Sequence, residues 1–107
     1  MSTPPSRLPK KEFISGAFRA IRTPYFSLRA KKNTSQKRRV GVIVGKAVHK
    51  SAVKRNFWRR QAKTVFTDLI PSGNDFLIIF SPKINELTKQ EFRRALTKAV
   101  STFRQQQ

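Results

Sequence analysis

Five consecutive apolar residues, Phe76-Leu77-Ile78-Ile79-Phe80, constrain the fold of this chain more than any other segment. The run is too short for a helix buried all round and too apolar on both faces for a surface strand. It suits a central strand covered on either side. Pro71-Ser72-Gly73-Asn74, just before it, has the composition of a turn. A central strand needs flanking strands and covering layers, and the apolar periods elsewhere in the chain indicate where these come from.

Ile14, Ala17, Phe18 and Ile21 recur at helical spacing, which predicts a first short helix near residues 10–21, ended by Pro24. From Tyr25 to Ala30 the side chains of Phe26, Leu28 and Ala30 alternate with Tyr25, Ser27 and Arg29, the period of a half-buried strand. The polar stretch 31–39 reads as a loop. Val40, Val42 and Val44 share one face of a second strand, with Gly41 and Gly45 allowing close backbone approach. The short link between these strands predicts an antiparallel hairpin. Ser51 is placed to cap a helix running to about Ile70. On a helical wheel Val53, Phe57, Trp58, Val65 and Leu69 fall on one half and Arg55, Asn56, Arg59, Arg60 and Lys63 on the other. Thr88 and Glu91 form a capping box ahead of Phe92, Leu96, Ala99 and Phe103, which predicts a last helix. The order is αββαβα, with no internal repeat. It is expected to form one domain over residues 1–107, with about 7–104 ordered between short tails.

The chain has 24 Lys and Arg against 5 Asp and Glu, a formal charge of +19. Self-repulsion of that size calls for a polyanionic partner. With 37% hydrophobic residues, nine phenylalanines among them, one modest core is within reach. Those rings and the periodic apolar segments set the chain apart from a disordered basic tail, so it is expected to fold unaided. The absence of cysteine removes disulfides, thiolate chemistry and Cys-based metal sites. Met1 to Arg7 has no apolar signal core, and no window approaches the roughly 20 apolar residues of a membrane span. A cytoplasmic location without membrane attachment is expected.

Catalysis by the chain itself finds little support. The carboxylates Glu12, Asp68, Asp75, Glu86 and Glu91 are scattered, with no HExxH, paired-Asp or EF-hand pattern, so neither a catalytic residue nor a metal ligand is assigned. His49 has no positioned partner and reads as a loop residue. Gly41 to Lys46 lacks the spacing of a phosphate loop. The strong signal lies in Lys46 and the helix that follows. Lys54, Arg55, Asn56, Arg59, Arg60 and Lys63 cluster there, and no carboxylate occurs between Glu12 and Asp68. Arginine forks onto phosphate oxygens, lysine supplies a mobile charge, and the Asn56 amide both donates and accepts. The set suits a folded nucleic-acid surface. Aromatic residues Phe13, Phe18, Tyr25 and Phe26 give a weaker signal, since an exposed ring there can stack on an unpaired base; the periodicities place most of them in the core and leave Tyr25 and Phe13 as the candidates for exposure.

Val40-Gly41-Val42-Ile43-Val44-Gly45-Lys46, followed by Ala52-Val53-Lys54-Arg55-Asn56-Phe57-Trp58-Arg59-Arg60, resembles the strand and Arg-Asn-Arg signature helix of the bacterial ribonuclease P protein family. Leu8, Glu12-Phe13, Phe18, Phe26 and Leu28 resemble that family's amino-terminal pattern, and Asp75 to Ile79 its third strand. Phe57 departs from it, standing where a basic residue is common. The resemblance implies an α/β (α+β) two-layer sandwich, ribosomal protein S5 domain 2-like, with a left-handed βαβ crossover. It further implies that Lys46, Lys54, Arg55, Asn56, Arg59, Arg60 and Lys63 contact the ribonuclease P RNA, while Phe13, Phe18, Tyr25 and Phe26 line a cleft for the 5′ leader of precursor tRNA. Mg²⁺-dependent hydrolysis is then expected in the RNA subunit, with no cofactor bound by the protein alone and no small-molecule substrate. The alternative is a small structural ribosomal-type RNA-binding protein. A DNA binder would be expected to show a helix-turn-helix or β-ribbon arm, and a self-sufficient nuclease more acids than this chain has.

Overall fold

The computed structural model describes residues 6–8, 19–33, 38–69 and 73–105. In chain order these form strands β1 (Ser6–Arg7), β2 (Arg19–Arg22), β3 (Phe26–Lys32) and β4 (Arg39–Ile43), helix α1 (Ala52–Leu69), strand β5 (Asn74–Phe80), a 3-10 turn (Pro82–Glu86) and helix α2 (Lys89–Gln105). The strands make one mixed sheet in the order β1-β4-β5-β3-β2. β4 runs parallel to β1 and β5, whereas β3 is antiparallel to β5 and β2.

β5 is the central strand, as its unbroken apolar run predicts. Phe80 lies opposite Phe26, Ile78 between Leu28 and Val42, and Phe76 between Ala30 and Val40. Strand alternation puts these side chains on one face. There they join Trp58, Ala62, Val65 and Phe66 of α1 with Phe92, Leu96, Ala99, Val100 and Phe103 of α2 in one core. Edge-on aromatic contacts join α1 to α2, with Trp58 and Phe92 centroids 5.5 Å apart, and the sheet to α2, with Phe76 and Phe103 6.1 Å apart. Leu77 points to the opposite face and is also buried, so β5 is covered on both sides. The result is a two-layer α+β sandwich in which α1 is the crossover between parallel neighbours β4 and β5.

The predicted hairpin does not form. β5 lies between β3 and β4, because a strand buried on both faces has no water for its backbone groups and needs a hydrogen-bonded strand on each edge. Asp75 fastens this arrangement: its Oδ1 accepts from Asn33 Nδ2 at 2.7 Å and Arg39 Nε at 2.8 Å, and its Oδ2 accepts from Arg39 Nη2 at 2.8 Å. The carboxylate is fully buried, and its paired charge bridges the ends of all three strands.

Part of the predicted first helix is also corrected. Arg19–Arg22 is strand β2, with Ile21 opposite Leu28; the remainder, residues 10–18, lies outside the described residues. The turn from β2 into β3 is held by Thr23, whose hydroxyl accepts from Phe26 N at 3.0 Å and donates to Phe26 O at 2.9 Å. Gly45 needs no close approach, since a Cβ added there meets nothing within 4 Å. Gly73 does need its freedom, at φ 81°. The capping box forms as predicted: Thr88 N donates to Glu91 Oε1 at 2.9 Å, and Glu91 N to Thr88 Oγ1 at 3.1 Å.

Candidate nucleic-acid interface

The start of α1 is built by its own polar residues. Arg55 N donates to Ser51 O at 3.1 Å, while the Ser51 hydroxyl accepts from Lys54 N at 3.5 Å, a long cap. His49 Nδ1 accepts from Ser51 N at 3.0 Å. The histidine therefore shapes the loop ahead of the helix, in keeping with its reading as a loop residue.

Two arginines tie that loop to the helix. Arg55 Nη1 donates to His49 O at 3.1 Å, and Arg59 Nη2 to Val44 O at 3.4 Å. Arg59 Nη1 also donates to Asn56 Oδ1 at 2.9 Å, which engages the amide oxygen. Both arginines are half-buried, whereas Lys46, Lys54, Asn56, Arg60 and Lys63 are exposed. The structure thus brings Arg55, Asn56, Arg59, Arg60 and Lys63 onto one arc of α1, with Lys46 on the adjoining turn. Among the described residues none of these cations pairs with a carboxylate, so their field is directed at solvent. Fixed guanidinium groups lose little freedom when they meet phosphate.

Lys54 falls apart from the arc, its Nζ 5.5 Å from the centroid of the Phe57 ring. Trp58 is packed in the core and Val65 and Leu69 are buried or half-buried, but Val53 is 74% exposed. The wheel's apolar half is corrected at that position, because Val53 stands about 160° from the centre of the buried side, at 100° per residue.

The aromatic set divides. Tyr25 is half-buried at the edge of the core. Phe26 is corrected: it is 1% exposed and packs on Phe92 at 5.8 Å, leaving no ring face for a base. Phe13 and Phe18 lie outside the described residues. On the sheet face opposite α1 and α2, strand alternation places Ser27, Arg29 and Lys31 of β3 on the same side as Arg39 of β4. The polar half of the β3 alternation could have indicated this second basic surface. Ser27 Oγ there is buried without a hydrogen-bond partner. Among the described residues no cluster of three His, Cys, Asp or Glu is placed to hold a metal ion, and no helix is long and apolar enough to cross a membrane.

The Ribonuclease P family profile matches residues 7–104. The chain belongs to the ribonuclease P protein family. It is similar to the ribonuclease P protein component of Aliivibrio salmonicida, 31% identical over 78 residues that cover 71% of this chain and 67% of the relative. The Synechococcus component is 39% identical over 67 residues, covering 56% and 50%. In fold it matches the ribonuclease P protein from Thermotoga maritima with a TM-score of 0.74 at 23% identity, covering 89% of this chain and 94% of that one. The Staphylococcus aureus protein gives 0.77 at 20% identity, covering 91% and 93%. As a ribonuclease P protein component, the chain works in an endoribonuclease complex with the ribonuclease P RNA.

Proposed function

We propose that the cationic arc of α1 binds the ribonuclease P RNA, and that the complex removes the 5′ leader of precursor tRNA in the cytoplasm by Mg²⁺-dependent hydrolysis carried out in the RNA. The observation that carries this reading is the arc itself: Arg55 and Arg59 held by backbone carbonyls, with Asn56, Arg60 and Lys63 exposed beside them. Arginines already positioned can dock on phosphates in a fixed register, and backbone contacts of this kind position a nucleic acid. The scattered acids support RNA-borne chemistry, because a protein two-metal site needs several converging carboxylates. The leader is proposed to follow the sheet face opposite α1 and α2, where Arg29 and Lys31 can neutralise phosphates; Tyr25, Phe13 and Phe18 are its proposed aromatic contacts.

Precursor-tRNA cleavage at low Mg²⁺ tests this, with bacterial ribonuclease P RNA alone, protein alone, and both together. Cleavage restored only by the mixture is expected. Cleavage by the protein alone would overturn RNA-borne catalysis. Absence of rescue, together with tight binding to other structured RNAs, would favour a ribosomal-type role.

A further inference from the structure

Around the axis of the first turns of α1, at about 100° per residue, the longer outward side chains follow one another as Arg55, Arg59, Lys63, Asn56, Arg60, Val53 and Phe57. The cationic arc therefore passes directly into two apolar side chains one turn apart. Val53 is 74% exposed, the one large hydrophobic in the open among the described residues. Phe57 is half-buried. Its ring meets Trp58 edge-on at 4.9 Å and 78°, which fixes its orientation, and Lys54 Nζ stands 5.5 Å from its centroid.

A lone exposed valine needs no explanation. This one adjoins an oriented aromatic ring, and the pair is bracketed by Arg60 on one side and Lys54 on the other. A fitting partner carries negative charge and a flat apolar face within one short segment. An unpaired nucleotide does so, with its phosphate toward the cations and its base on the ring. An apolar peptide would leave both cations without partners.

The geometry points to Val53 and Phe57 as an apolar step at the edge of the cationic arc, on which an unpaired nucleobase of the bound RNA stacks. The inference rests on α1 being the interface for the ribonuclease P RNA, and it adds a contact whose strength does not come from charge. Trp58 holds the ring in place before binding, so little freedom is lost when a base arrives.

The test compares Phe57→Leu, which keeps apolar volume against Trp58 but removes the flat face, with Phe57→Tyr, which keeps the face. Each full-length protein is titrated with transcribed bacterial ribonuclease P RNA over a series of salt concentrations. The leucine variant is expected to bind roughly tenfold more weakly at every salt concentration, with an unchanged salt slope because no phosphate contact is lost. The tyrosine variant should bind like the parent. Parent-like binding by Phe57→Leu overturns the step, as does a slope reduced by about one counterion. If Phe57→Leu lowers the melting temperature, Val53→Ser gives the comparison at a residue the core does not use, with a loss of about threefold expected from its smaller contact; parent-like binding there overturns the step. A parent protein that binds this RNA no tighter than a generic structured RNA removes the reading of α1 instead, and the same variants on the generic RNA then decide the step by itself.

Discussion

Two carboxylates show how little a residue's identity says without its surroundings. Glu91 is exposed, and its carboxyl is held below the ordinary glutamate range chiefly by the hydrogen bond from Thr88 N, then by the Thr88 side chain. A lowered folded value means that its contribution is present at neutral pH and lost as pH falls from the ordinary value through the folded one. Glu91→Ala should therefore lower stability at pH 7, and the gap to the parent should narrow on acidification in urea melts. A gap independent of pH would show that the charge plays no part. Asp75 is buried and paired with Arg39 and Asn33. Asp75→Ala removes the buried carboxylate that pairs with Arg39 and should cost about 3 kcal/mol in denaturant unfolding; a cost below about 1 kcal/mol would mean that the pair adds little beyond a surface ion pair. Thr88 and Glu91 can be paired from sequence because they lie three residues apart. Nothing local connects Asp75 with Arg39.

At the scale of elements, legibility follows the range of the forces involved. The cap and apolar face of α2, the basic arc of α1 and the apolar run of β5 are local patterns, and each is readable in the chain. Arg19 to Arg22 is not, because Ile21 satisfies a helical period with Ile14, Ala17 and Phe18 and equally a strand position opposite Leu28. Val53 escapes the wheel because it borders the basic arc rather than the core. On α1 the arginines differ in what removing them does. Arg60→Ala should lower the salt slope of RNA binding by about one counterion with no change in melting temperature. Arg59→Ala should lower the slope and also the melting temperature, since it frees the Val44 carbonyl and Asn56. Equal melting temperatures for the two variants would show that the tie to the loop contributes nothing.

For the whole molecule, the +19 charge predicts self-repulsion in the free state. Raising sodium chloride from low to moderate concentration should raise the melting temperature by about 4 °C, the equivalent of roughly 1 kcal/mol in a domain of this size. A flat or falling response would mean that the cations are already compensated within the fold. Charge, the single core, the central strand and the basic helix are determined by the sequence itself, because composition and short-range periodicity carry them. The partners of β5, the strand at Arg19 to Arg22 and the Asp75 bridge are decided only in the tertiary structure. Each depends on which distant segments meet, and pairing across the sheet is settled by burying β5 on both edges and both faces at once.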